Sequence, residues 1–311
     1  MKSIIFILPY FGKWPVWFDA FLISVKHNPT INWLCPTDCE IPKNHPENIK
    51  FIAQDLATLN TIVNTVVSVD VPLTPRKFCD LKPAYGDIFE EEIKGFDFWG
   101  FCDMDIIWGD IRKFMTNDIL SNFDIISSRK NAISGHFTLF KNTFEIRELY
   151  KEISGYKAMF QQEKLVVFDE KVLSNYLKSL KSDKFTILWS KNLLNQENGV
   201  DSHQEYHLDK WQWKNGKMID VISNTEVMYL HFINWKRTMK YCDINYLDYP
   251  SQFYISYNGI HYQTHKRIKV FLNNFKNIFD GYWIREKRRY RKLKFKSLIK
   301  RIKNKINKIT S

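Results

Sequence analysis

The chain opens on a short apolar run, Ile4-Ile5-Phe6-Ile7-Leu8, closed by Pro9-Tyr10-Phe11-Gly12. A short continuous run without alternation predicts a strand buried on both faces. Trp14, Trp17, Phe18, Phe21, Leu22 and Val25 then recur at spacings of three and four, which predicts a helix ending near Lys26. Ile31 to Cys35 and Ile49 to Ile52 predict two more strands, and Leu56 to Val67 a second helix. This order favours an α/β fold with a mostly parallel central sheet flanked by helices. Thr74 to Phe89 is amphipathic at helical spacing, with Pro83 marking a break. Phe98 to Cys102 and Phe123 to Ser128 repeat the buried-strand pattern, and Ser134 to Phe140 is a strand whose Gly135 permits close backbone approach. A helix is expected over 169–180. Trp211 to Ile219 alternates about Asn215-Gly216, a hairpin signal. Val227 to His231 predicts a strand, with Lys236 in the following loop.

Candidate chemistry begins where the strand Phe98 to Cys102 stops. Asp103 and Asp105 are two residues apart, so in an extended chain both carboxylates project to one side. In an open α/β sheet, ligands bind beyond the carboxyl ends of the strands. Paired carboxylates repel unless a cation lies between them, and hard ions such as Mg²⁺ and Mn²⁺ take oxygen ligands together with a substrate's phosphates. The pair therefore predicts a metal site and a phosphate-bearing ligand; a solvated acidic turn or a helix cap is the plainer alternative. Late in the chain, His231 is a competent ligand for Mn²⁺ and Lys236 a mobile charge for phosphate.

Other residues admit two accounts each. Lys77, Asp80 and Lys82 lie beside a helix expected to pack next to the Asp103 strand; an ordinary ion pair on a solvated face would place them there as well. His136 is a possible substrate contact or a satisfied core histidine. Asp169 and Glu170 are candidate catalytic acids, or first-turn acids favoured by the helix dipole. His203-Gln204-Glu205-Tyr206-His207 resembles a zinc-protease motif, but its Glu stands one place late, and a surface loop is the better reading.

Composition changes the picture in one respect. The 311 residues are 44% hydrophobic and 16% aromatic, which implies a globular chain with a substantial core. The net charge of +12 suggests a nucleic-acid partner until it is located. From Arg285 to Lys308 there are 13 Lys and Arg against one acid, Glu286, so the tail holds all of the excess. Phe295, Leu298, Ile299, Ile302, Ile306 and Ile309 fall on one helical face of that tail. A basic amphipathic helix of this kind binds anionic membrane surfaces. Nucleic acid is the rival and is not expected, because aromatic residues are few in the tail. Five cysteines without a paired framework indicate reduced thiols in the cytosol. The N-terminal apolar run is too short for a signal peptide or a membrane span.

Asp103-Met104-Asp105, the segment Lys77 to Pro83, Gly135-His136-Phe137, and His231 with Lys236 together resemble a bacterial glycosyltransferase of the GT-A fold. More narrowly they resemble an uncharacterised family found among surface-polysaccharide (capsule and lipopolysaccharide) genes. The resemblance spans 1–245, excludes the tail, and implies a Rossmann-like catalytic domain there; 246–284 is expected to pack on it, and the basic amphipathic pattern makes 285–311 the expected membrane-association tail. It implies a nucleotide-sugar donor, a UDP-sugar by preference, with Mn²⁺ or Mg²⁺ held by Asp103, Asp105 and His231. Donor contacts would come from Pro9, Tyr10 and Phe11 beside the base, from Lys77, Asp80, Lys82 and Asp103, and from Gly135 and His136. Lys236 would neutralise the leaving diphosphate. In similar retaining enzymes that lysine stands six residues after the histidine with a glycine between; here the gap is five and no glycine intervenes. If the enzyme inverts, Asp169 or Glu170 would take the acceptor proton.

The expectation is thus a metal-dependent hexosyltransferase-like enzyme acting on a glycan or lipid-linked acceptor, peripheral to the inner face of the cytoplasmic membrane. Two alternatives stand beside it. One is a nucleotidyl- or phosphotransferase using the same aspartates; the other is a basic-tailed membrane or nucleic-acid adaptor without activity.

Overall fold

The computed structural model describes residues 1–180, 184–190 and 206–309, with no side chain described at 298 or from 300 onward. The expected loop at His203, Gln204 and Glu205, and the tail side chains of Leu298, Ile302, Ile306 and Ile309, lie outside it.

The first strands form where the apolar runs predict them: β1 (Ile4–Ile7), β2 (Ile31–Thr37), β3 (Ile49–Ala53) and β4 (Phe98–Cys102). With β6 (Ile125–Ser127), β7 (Phe137–Lys141) and β8 (Ile187–Trp189) they build a seven-stranded sheet in the order β3-β2-β1-β4-β7-β6-β8. Only β7 runs against the rest. The sheet is mostly parallel and covered by helices on its faces, as its strands' continuous apolar runs require.

Alternate residues of β1 feed two cores. Ile4 and Phe6 face one side, where Phe6 meets Trp108 at 5.2 Å and Trp33 at 5.8 Å between ring centroids. Ile5 and Ile7 face the other, with Trp99, Phe101 and Tyr85. Helix α1 (Phe18–Lys26) closes the first core and α2 (Leu56–Val67) the second; α2 is capped by Asp55, whose carboxylate accepts from the Thr58 amide at 2.7 Å.

Three local expectations change. Thr74 to Phe89 divides into a helical turn Phe78–Leu81, a 3₁₀ turn Lys82–Ala84 and a second turn Tyr85–Ile88, because Pro83 offers no amide to a continuous ladder. The helix expected over 169–180 begins as a π-helical turn, Phe168–Leu173, before α-helix Ser174–Ser179. The strand at Ser134 starts three residues later, at Phe137.

A second sheet, six-stranded, contains β9 (Trp211–Lys214), β10 (Lys217–Asp220), β11 (Thr225–Val227), β13 (Tyr241–Cys242), β14 (Gln252–Ser256) and β15 (Gly259–His261). β9 and β10 form the hairpin about Asn215-Gly216, and β14 pairs with β9, so strands on both sides of residue 245 share one sheet. Two helices follow, Arg267–Asp280 and Tyr282–Ile309. Among the described residues, no helix is long and apolar enough to cross a membrane.

Candidate active site

In the large sheet the strand order turns between β1 and β4, since β2 and β3 lie to one side and β7, β6 and β8 to the other. At the carboxyl ends of those two strands a crevice opens of necessity. β1 delivers Pro9, Tyr10 and Phe11 there, and β4 delivers Asp103 and Asp105. A short antiparallel pair completes the arrangement: β5 (Ile106–Trp108) with β12 (Tyr229–His231), in a register that sets His231 opposite Ile106. That register brings a residue 126 positions away beside Asp105.

Oxygens of Asp103 and Asp105 and a ring nitrogen of His231 lie within 4.8 Å of one another. His231 Nε2 is 3.9 Å from Asp103 Oδ2 and 3.7 Å from Asp105 Oδ1. Each carboxylate also carries a lysine. Lys82 Nζ donates to Asp103 Oδ1 at 2.6 Å and to the Gly135 carbonyl at 2.5 Å, while Lys236 Nζ lies 3.0 Å from Asp105 Oδ2. Burial pushes the Asp105 carboxyl up, but His231 and Lys236 outweigh it and hold it well below the usual range. Burial likewise depresses Lys82, and Asp103 more than reverses that, so Lys82 stays cationic. The donor set of two carboxylates and one imidazole suits Mn²⁺, and the carboxylates alone suit Mg²⁺. Lys82 and Lys236 supply the positive charge that the paired carboxylates otherwise need from a cation.

His136 stacks on His231, ring centroids 4.0 Å apart and planes 18° from parallel, which restricts the orientation of the His231 ring. Next to it is a cavity of about 370 Å³ lined by Lys82, Asp103, Gly135, His136, Asp169, Glu170 and His231 among others. Gly135 is there for a steric reason: a Cβ at that position would lie 2.9 Å from Asp169 Oδ2 and 3.0 Å from Glu170 Oε1. Asp169 is buried, and burial raises its carboxyl to about 6 although Lys82 pulls the other way. Glu170 is held differently, by Arg129 at 2.8 Å and the Gly135 amide at 3.3 Å.

Lys77 and Asp80 do not line the cavity. Their side chains are 1% and 0% exposed and form a buried ion pair at 2.9 Å. Asp80 also accepts from the amides of Phe168, at 3.0 Å, and Val166, at 3.2 Å. Between those amides Val167 has φ 58° and ψ 53°, a left-handed conformation that β-branched residues resist. The ion pair therefore pins the strained turn that presents Asp169, a positioning role where the sequence suggested sugar contact.

Tyr10 and Phe11 stand at the crevice rim. Tyr10 stacks on Trp14 at 5.3 Å, and Phe11 on Phe78 at 5.5 Å. Arg76 and Arg129 in the cavity wall were not singled out from the sequence. Arg129 stands just beyond the carboxyl end of buried strand β6, the same signal that marks Asp103 beyond β4. A second grouping, Asp209 with His261 and His265, lies outside this site. It closes on itself: Asp209 accepts from the His265 amide at 2.6 Å and pairs with its ring at 2.7 Å, tying chain 206–210 to the start of the C-terminal helices.

No curated protein matches the sequence significantly. Among solved structures, the chain is similar to the galactosyltransferase LgtC in complex with donor and acceptor sugar analogues, at 10% identity and a TM-score of 0.37, covering 62% of this chain and 75% of that one. It is similar to an active-site mutant of LgtC at 9% identity and a TM-score of 0.40, covering 75% and 88%. It is also similar to the glycosyltransferase GlyE of Streptococcus pneumoniae TIGR4, at 10% identity and a TM-score of 0.35, covering 62% of this chain and 46% of that one. At the level of sequence, residues 6–264 match the model described as a family of unknown function (DUF6625), and the chain belongs to that family.

Proposed function

We propose that this chain is a metal-dependent glycosyltransferase of the GT-A type, moving a sugar from a nucleotide-sugar donor to a glycan or lipid-linked acceptor in bacterial surface-polysaccharide synthesis. The observation that carries the reading is the convergence of Asp103, Asp105 and His231 at the carboxyl ends of a mostly parallel sheet, with two lysines on the carboxylates and a cavity alongside.

Asp103, Asp105 and His231 would hold Mn²⁺ or Mg²⁺, which when bound supplies neutralisation of the charge developing on the donor diphosphate. Lys236, 45% exposed at its side chain, is free to leave Asp105 for a phosphate oxygen and favours the transition state over the ground state as the sugar–phosphate bond breaks. Lys82 and the Gly135 carbonyl border the space where the sugar would sit. Asp169, with its carboxyl raised to about 6, is matched to accept the acceptor's hydroxyl proton near neutral pH, and Glu170 would orient that hydroxyl. Tyr10 offers an aromatic face to the base. Residues 285–311 would keep the enzyme on the anionic inner face of the cytoplasmic membrane, where a lipid-linked acceptor is met.

The test is a screen of nucleotide sugars with Mn²⁺ or Mg²⁺, reading the nucleotide released by wild type and Asp105→Ala. The proposal expects a nucleoside diphosphate, released in a metal-dependent way and lost in the variant. Pyrophosphate or a nucleoside monophosphate would indicate a nucleotidyl- or phosphotransferase. No turnover of any donor would contradict the enzymatic reading.

A further inference from the structure

The helix Arg267–Asp280 is amphipathic, yet it is mounted with its polar side on the body. Asn273 donates to the Tyr206 carbonyl at 2.8 Å and accepts from the Tyr257 hydroxyl at 2.9 Å, and Asn277 donates to the same Tyr206 carbonyl. None of the helix's residues is buried. Ile268, Phe271, Leu272, Phe275, Ile278 and Phe279 recur at spacings of three and four and therefore share the opposite face, where each is exposed to water. Phe271 is 69% exposed and Phe275 56%. Trp283, just past Gly281, is exposed as well. A contiguous apolar stripe of this kind on a water-facing helix marks an interaction surface.

We infer that this stripe inserts into the interfacial layer of an anionic bilayer, with Arg267–Asp280 as the hydrophobic element and the following helix as its electrostatic partner. Charge complementarity selects this occupant. Lys269 and Lys276 flank the stripe, placed to reach headgroups while their stems cover apolar surface. The next helix, Tyr282–Ile309, carries all of the chain's excess positive charge. A second copy of this chain would bring an equally cationic tail against the first, and like charges oppose that pairing. An interfacial helix needs apolar side chains at the depth of the acyl boundary and basic groups at the headgroups, and these two helices divide those tasks. The inference adds an insertion element to the tail's electrostatic role and does not depend on the sugar-transfer reading.

The experiment uses full-length protein and co-sedimentation with vesicles of phosphatidylcholine alone or mixed with phosphatidylglycerol. Wild type should bind the anionic vesicles and keep a bound fraction in about 1 M salt, where screening shortens electrostatic reach to about 3 Å. The double variant Phe271→Asp/Phe275→Asp should fold normally, since both positions face water, and its melting temperature checks this. Its salt-resistant binding should fall by on the order of a hundredfold, about tenfold for each phenylalanine no longer buried in lipid. Hydrogen exchange over 268–279 should slow on anionic vesicles in wild type and not in the variant. Equal salt-resistant binding by the two proteins would overturn the inference. So would a lipid-independent dimer that the double substitution converts to monomer, because the stripe would then be covered by a second copy.

Discussion

Replacing Asp169 by asparagine removes a charge that the fold holds at a cost. The carboxyl is buried against Gly135 and Glu170, and burial raises it from its ordinary 3.8 to about 6. Between those two values the folded protein keeps a proton that the unfolded chain has released, so stability falls as pH rises through that window. With about 1.4 kcal/mol per pKa unit, the loss reaches about 3 kcal/mol above pH 6. Asparagine has nearly the shape of the protonated acid, and its carbonyl oxygen can still accept from the Glu170 amide, now bonded to Asp169 Oδ1 at 2.8 Å. Asp169→Asn should therefore be more stable than wild type at pH 8 by up to about 3 kcal/mol, and equal to it near pH 4. Urea unfolding followed by circular dichroism from pH 4 to 8, with chelator present, measures the difference. A variant no more stable than wild type at pH 8, or an advantage that does not change with pH, would refute the account of a carboxyl strained by burial. The same variant should lose sugar transfer if Asp169 takes the acceptor proton, which would make it a stability gain bought with function.

Asp80→Ala leaves the Lys77 ammonium buried without its carboxylate and frees the amides of Val166 and Phe168, so a destabilisation of about 3–5 kcal/mol is expected by denaturant melt; a loss below about 1 kcal/mol would remove its pinning role. Gly135→Ala drives a Cβ against Asp169 and Glu170, and donor turnover should fall while the melting temperature changes by only a few degrees; undiminished turnover would show that the two acids need not lie so close. Lys236→Ala vacates one oxygen of Asp105, so Mn²⁺ should bind as tightly as to wild type or tighter by calorimetry, while donor cleavage slows by on the order of 10²–10³. Weaker metal binding in that variant would mean that Lys236 supports the cation site and not the leaving group.

The parts of this site that local pattern reveals are the ones that strands deliver. Asp103 and Asp105 follow a continuous apolar run, and His231 ends another, so their place at strand ends is readable from the chain. Their meeting is not, because it depends on β5 pairing with β12, and no local pattern encodes that register. Asp80 illustrates a different limit. Lys-x-x-Asp beside a phosphate-type site looks like a substrate contact, and only the fold shows its carboxylate turned away toward two amides of a distant turn. The conformation of Val167 is equally silent, since nothing in Val166-Val167-Phe168 favours a left-handed residue; the surrounding hydrogen bonds impose it. At the C-terminus, periodicity over 267–280 shows that the helix is two-faced without saying which face meets the body. Strand 252–256 pairs with 211–214 across the boundary expected at 245, and Asn273 and Asn277 hydrogen-bond to Tyr206 and Tyr257, while the phenylalanines of 267–280 point outward.

The most direct test of the central claim is a thermal-shift titration of wild type and Asp105→Ala with Mn²⁺, with nucleoside diphosphates, and with both together. A ligand at about 100 times its dissociation constant adds about 2.7 kcal/mol of stability, enough to move the melting temperature measurably. Wild type should show a shift with one nucleoside diphosphate that requires Mn²⁺, and Asp105→Ala should show none. A nucleotide shift that is indifferent to Mn²⁺, or one that survives in Asp105→Ala, would contradict the assignment of Asp103, Asp105 and His231 as the cation site.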